Sequence, residues 1–133
     1  MAFDSKYFLS NLSRFKDNYS SWRLLDKIKR FGRKAGRKVV YAVLILYYAS
    51  LDKSVPTKDR LMILAALGYF ITPVDLLPDA LPLGFSDDMA ALTFVLKTVW
   101  SNISDDVFAK AKARLEDWFG PAEPSALKIP GLG

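Results

Sequence analysis

"VVYAVLILYYASLDKSVPTKDRLMILAALGYFI", residues 39–71, decides how this chain folds. Val39 to Leu51 and Leu61 to Ile71 are apolar on every helical face, so each must be enclosed by protein or lipid. The "SVPTKDR" between them supplies a turn at Pro56 and a helix start, with Thr57 as N-cap and Asp59 in the first turn. Two apolar helices joined by a short turn therefore form the expected centre. No stretch alternates convincingly enough for a strand and no segment repeats. The expected fold class is all-α, a small bundle of four to five helices with a central Pro/Asp-rich apolar loop.

That loop lies in "ITPVDLLPDALPLGFSDD", residues 71–88, where Asp75, Asp79, Asp87 and Asp88 stand among apolar residues broken by Pro73, Pro78, Pro82 and Gly84. Local rules read it as two helix starts: Thr72 at an N-cap with Pro73 at N1 and Asp75 at N3, then Ser86 with Asp87 and Asp88. Carboxylates there are favourable by about 0.3–1 kcal/mol each. The sharper alternative is a hard-cation site for calcium or magnesium, with Asp75, Asp79, Asp87 and Asp88 as oxygen ligands. The EF-hand spacing is lacking, however, and adjacent residues such as Asp87 and Asp88 point in different directions on a helix. Acid/base work is a further alternative, and it needs a raised pKa.

Two helices are expected after the loop. "SDDMAALTFVLKTVWSNI" is capped by Ser86, and "SDDVFAKAKARLEDWFG" is capped by Ser104, stopped at Gly120 and lined by Val107, Ala111, Leu115 and Trp118. On the other side of the apolar pair, Phe8, Leu12, Phe15, Tyr19 and Trp22 form a helical stripe. Ser20 and Ser21 interrupt it, and Leu24, Leu25, Ile28 and Phe31 carry an amphipathic pattern on to Gly32. The expected division is a basic amphipathic extension over 1–36, a helical domain over 37–119 and a loose tail over 120–133.

Composition excludes whole classes of chemistry. Without cysteine or histidine among the 133 residues there is no disulfide, no thiolate and no imidazole base, so an enzyme would need carboxylate, lysine or tyrosine chemistry. The net charge of +5 is unevenly placed. Residues 1–38 carry eleven Lys/Arg against three Asp, and "KIKRFGRKAGRK" at 27–38 holds seven bases and no acid. Such a segment is suited to an anionic partner, either acidic lipid or nucleic acid. The start "MAFDSKYFLS" has no signal-peptide pattern, which places the expected beginning of the chain in the cytoplasm.

From about Arg37 to Trp118 the chain resembles the bacterial YkvA-like family, known as domain of unknown function 1232. "GYFITPVDLLPDALPLGFSDDMAAL" carries the resemblance: an apolar helix, Thr72 and Pro73, an apolar residue and Asp75, two apolar residues with Pro78 and Asp79, then Pro82 and the pair Asp87-Asp88. Members of that family are usually predicted to be membrane proteins, so the resemblance implies a compartment and a helical architecture, and brings no activity with it.

A bilayer core about 30 Å thick needs roughly 20 apolar residues of helix. Residues 39–51 reach about 20 Å at 1.5 Å per residue, and the aspartates disfavour a span across 61–83 at about 2.5–3.5 kcal/mol each. That leaves a compact bundle centred on 39–51 and 61–71, or a hairpin dipping into one leaflet. The expected function is a non-catalytic interaction or scaffold protein of a membrane's cytoplasmic face. Lys29, Arg30, Arg33, Lys34, Arg37 and Lys38 would meet anionic lipids, residues 27–51 would form the anchor, and a protein partner would be engaged. The alternative is a soluble helical domain with a carboxylate metal site, possibly hydrolytic. The third is a nucleic-acid accessory, for which no base-reading motif is found.

Capping and ion binding ask different things of the aspartates, which makes them separable. Under the capping reading, Asp75→Asn and Asp88→Asn are tolerated, whereas alanine costs about 1 kcal/mol where the side chain caps. Denaturation of the variants measures this. A calcium- or magnesium-dependent rise in Tm that vanishes in Asp75→Asn would establish the ion site instead.

Overall fold

The computed structural model describes residues 4–71 and 85–121, with the side chains at 31, 33–35 and 85–89 outside that description. The described chain is all helical: α1 (Ser5–Ser10), α2 (Leu12–Asn18), α3 (Ser21–Ala35), α4 (Arg37–Leu51), α5 (Thr57–Ile71), α6 (Phe85–Val99), a 3-10 turn (Trp100–Asn102) and α7 (Asp105–Phe119). No strand occurs among the described residues. Where four to five helices are expected from sequence, the described residues form seven α-helices, because the N-terminal third breaks into three.

Each break has a local cause. At Asn11, φ −126° and ψ 28° end α1, and the side-chain Nδ2 donates back to the Tyr7 carbonyl at 2.8 Å. Ser20 is extended, and its Oγ accepts from the Arg23 N–H at 3.4 Å to start α3. That helix runs past Gly32, where sequence placed its end, to Gly36. There φ +95° is a backbone state that L side chains rarely adopt. Further on, the Pro56 carbonyl accepts from the Arg60 N–H at 2.9 Å, so α5 already begins at Thr57. Likewise α6 begins at Phe85, which puts Ser86 inside the first turn instead of ahead of it.

The two apolar helices form the centre. α5 is packed by α2, α3, α4 and α6, while α4 is packed by α3, α5, α6 and α7. Leu44, Ile45 and Leu46 of α4 are fully buried, as are Ile63 and Leu67 of α5, in one core with Leu92, Leu96 and Leu115. Burial of this kind is worth roughly 1.5–3 kcal/mol for each large side chain. It answers the demand of an all-round apolar helix with protein. Fifteen residues make α4 and α5 each about 22 Å long, and no helix among the described residues is long and apolar enough to cross a membrane.

The segment over 1–36, expected to be an extension, contributes to the same core through Phe8, Phe15, Leu24 and Ile28. α2 crosses α5 at Gly68 so closely that an added Cβ would stand 2.7 Å from the Phe15 carbonyl carbon and overlap its oxygen. Around this crossing the Phe8 and Phe15 rings stack at 5.8 Å between centroids, and the Tyr69 ring meets Phe15 edge-on at 5.2 Å. Phe94 of α6 closes on Phe8 at 6.3 Å. The helical stripe therefore holds for Phe8 and Phe15, with Leu12 and Tyr19 packed partly against the core. It fails at Trp22, which is 73% exposed because the break at Ser20 re-aims the chain.

The crossing yields a graded prediction for chemical denaturation. Gly68→Ala forces backbone apart and should cost upward of about 3 kcal/mol. Gly36→Ala meets no neighbouring atom and should cost only the backbone penalty, about 1–3 kcal/mol. Phe15→Ala should cost about 3–5 kcal/mol. A loss below about 1 kcal/mol for both Gly68→Ala and Phe15→Ala would mean that α2 does not belong to the core.

Candidate functional site

The basic segment becomes a surface by the way α3 seats itself. Leu24 and Ile28, one turn apart, are buried and fix the inner face. Two cations beside that face are held near the end of α5, Lys27 directly and Arg23 through Asn18. Lys27 Nζ donates to the Phe70 carbonyl and lies 4.1 Å from the Phe70 ring centroid. The Arg23 guanidinium donates to Asn18 Oδ1 at 3.1 Å, and Asn18 Nδ2 in turn donates to the Gly68 carbonyl at 3.2 Å. Positive charge beside the last carbonyls of a helix is favourable, so Arg23 and Lys27 contribute to the packing of α3 and α2 on α5.

Of the six basic residues singled out from sequence, the described side chains of three reach the surface. Lys29 and Lys38 are exposed, and so is Arg30, whose Nε lies 3.3 Å from Asp26. An exposed pair of this kind contributes roughly 0–1 kcal/mol and leaves Arg30 accessible to another anion. Arg37 has a structural task instead: its guanidinium donates to the Phe119 carbonyl at 2.7 Å and the Pro121 carbonyl at 3.1 Å, tying α4 to the end of α7. Arg33 and Lys34 lie in the last turns of α3, with side chains outside the described part. The first turn of α4 contains no acid, and Gly36 gives it no side-chain cap, so the positive end of that helix dipole adds to the field of Lys38.

The side chains of the four carboxylate candidates lie outside the described part of the chain. Asp75, Asp79 and Thr72 lie outside the described residues. The backbone of Asp87 and Asp88 lies in the first turn of α6, with side chains outside the description. Among the described residues no three acids are placed so as to hold a metal ion. Surface clefts do occur among the described residues. One of about 630 Å³ is lined by Tyr48, Lys110, Arg114 and Asp117. Its cations are internally matched, Arg114 to the Tyr48 hydroxyl at 3.2 Å and to Asp117 at 3.5 Å, and Lys110 to Asp106 at 3.0 Å.

A polar junction unforeseen from sequence joins the α4–α5 turn to the start of α7. Ser104 caps α7, its Oγ accepting from the Val107 N–H at 3.4 Å and donating to Asp52 at 3.3 Å. Asp52 also accepts from the Ser54 N–H at 2.9 Å and the Ser54 hydroxyl at 2.8 Å. Arg60 closes the end of α4 by donating to the carbonyls of Ser50 and Asp52. "DKS" at 52–54 carries the signal that could have found it, an aspartate whose side chain bonds the backbone two residues on.

These groups give the fold two pH limits. The Ser54 amide and hydroxyl, with Ser104 and Lys110 adding, hold the Asp52 carboxyl below its ordinary value. Its contribution is complete above the unfolded Asp pKa and is lost as pH falls through the lower folded value. Burial, with Tyr47 adding, pushes the Tyr19 hydroxyl up to about 12. That contribution is complete below about pH 10 and falls away as pH rises from 10 towards 12. Tm measured against pH should therefore drop on both sides. Asp52→Asn should flatten only the acid limb and Tyr19→Phe only the alkaline one; unchanged limbs would contradict the assignment.

Residues 59–94, from the first turn of α5 to Phe94 of α6, match the model of a family described as "Protein of unknown function (DUF1232)". No curated protein and no solved structure matches the chain.

Proposed function

We propose a non-catalytic role, as an interaction or scaffold protein held against the anionic cytoplasmic face of a membrane, for this chain whose residues 59–94 match the DUF1232 family. The observation that carries the reading is the exposure of Lys29, Arg30 and Lys38 in a segment with a surplus of eight positive charges over residues 1–38. Basic residues near an anionic leaflet contribute about 1 kcal/mol each, and the attraction decays within a Debye length of roughly 8 Å at physiological salt.

Attachment is peripheral in this reading. Val40, Val43, Leu44, Ile45 and Leu46 are covered by protein, so the anchor assigned from sequence to residues 27–51 is narrowed to the outer face of α3 and the first turn of α4. The cations face water while the apolar residues of the same segment build the core, and this leaves the fold intact when the surface meets lipid.

Cosedimentation with vesicles tests the reading. Binding to phosphatidylcholine–phosphatidylglycerol vesicles should weaken with salt, and each of Lys29→Gln, Arg30→Gln and Lys38→Gln should lower it about fivefold. Arg37→Gln should instead lower Tm, through the end of α7. Equal binding to pure phosphatidylcholine, or none to the anionic vesicles at low salt, would overturn the proposal.

A further inference from the structure

Trp22 is the largest exposed apolar side chain among the described residues, 73% accessible, and it lies at the start of α3. Leu25 follows at i+3 and is half-buried, and Lys29 follows at i+7 and is exposed. At 100° per residue Trp22 and Lys29 share one line of the helix, and Leu25 lies between that line and buried Ile28. Asp26 and Arg30 run beside that line, paired at 3.3 Å. The outer surface of α3 thus presents an indole, the edge of a leucine and then cations.

An indole in water is unfavourable in proportion to its apolar area, and its ring N–H still needs a polar partner, two demands that a headgroup boundary meets together. Cations two turns further along the same line would face the lipid phosphates at the same depth. A single-stranded nucleic acid also takes aromatic and basic residues, but it uses successive rings along a basic groove. Here one ring stands on a convex helix, and its neighbour Asp26 is paired with Arg30. A plane of lipid fits this surface better than a strand does.

We propose that α3 lies along the membrane surface with the Trp22 indole inserted at the headgroup boundary, Leu25 beside it and Lys29 and Arg30 on the phosphates. This rests on the peripheral-attachment reading and adds to it an orientation and an apolar anchor. Trp22 supplies apolar contact area that charge alone does not, so part of the binding survives high salt. The Lys27 bond to the α5 end and the Arg23 bond to Asn18 of α2 keep α3 seated while its outer face is occupied.

The test uses the full chain and vesicles of phosphatidylcholine and phosphatidylglycerol in equal parts. With Trp100→Phe and Trp118→Phe in place, Trp22 is the only indole. Its emission should shift to the blue on adding vesicles and be quenched by lipids brominated near the headgroup end of the acyl chain. In the otherwise unaltered chain, Trp22→Ala should lower vesicle binding about tenfold and remove the salt-resistant part, with Tm unchanged because the side chain is exposed. Wild-type-like binding by Trp22→Ala, together with unshifted emission, would overturn the anchor and leave electrostatic attachment standing. Absence of binding to anionic vesicles would overturn both. Quenching of Trp22 by a single-stranded oligonucleotide, without vesicle binding, would overturn the lipid assignment in favour of nucleic acid.

Discussion

The backbone contact between Phe15 and Gly68 is the constraint on which the rest of this structure depends. Because position 68 lacks a Cβ, α2 lies directly on α5, and the Phe15 carbonyl occupies the space a side chain would need. This approach brings Phe8, Phe15 and Tyr69 into one aromatic cluster and lets Asn18 reach the Gly68 carbonyl. Arg23 is then drawn to Asn18, and the start of α3 is fixed relative to the end of α5. The orientation of the basic surface follows from a glycine fifty residues beyond Asn18.

Core and surface divide the charges of the N-terminal third between them. Arg23, Lys27 and Arg37 reach helix-end carbonyls, where their charge complements the dipole and closes the bundle. Lys29, Arg30 and Lys38 remain at the surface, and they carry the proposed attraction to lipid. A net charge counted from sequence cannot separate these uses, since identical residue types serve both. Only the partner within hydrogen-bond distance tells them apart.

The matched family segment occupies the middle of this arrangement. It supplies α5 and most of α6, while α2, α3 and α4 pack around them from outside the match and α7 packs on α4. Enclosure of α5 by helices that precede and follow it in the chain reconciles its apolar sequence with its length. The helix is apolar all round because protein meets it on several sides, and fifteen residues are enough for that task.

By itself the sequence determined the fold class, the two apolar helices and several helix ends, because these rest on periodicity and capping, which act within a few residues. Val39–Leu51 and Leu61–Ile71 are legible as enclosed helices from composition alone, and Ser104 as a cap from the acids that follow it. Tertiary structure decided what lies beyond that range. The break at Asn11 and the stop at Gly36 were not read locally, and Trp22 belongs to the apolar stripe only if the helix continues through Ser20. The role of Gly68 depends on Phe15, that of Arg37 on Phe119, and that of Asp52 on Ser104. Each pair is joined by packing across many intervening residues, so no window of sequence contains both members, and the surface left for a partner emerges only after those pairs have formed.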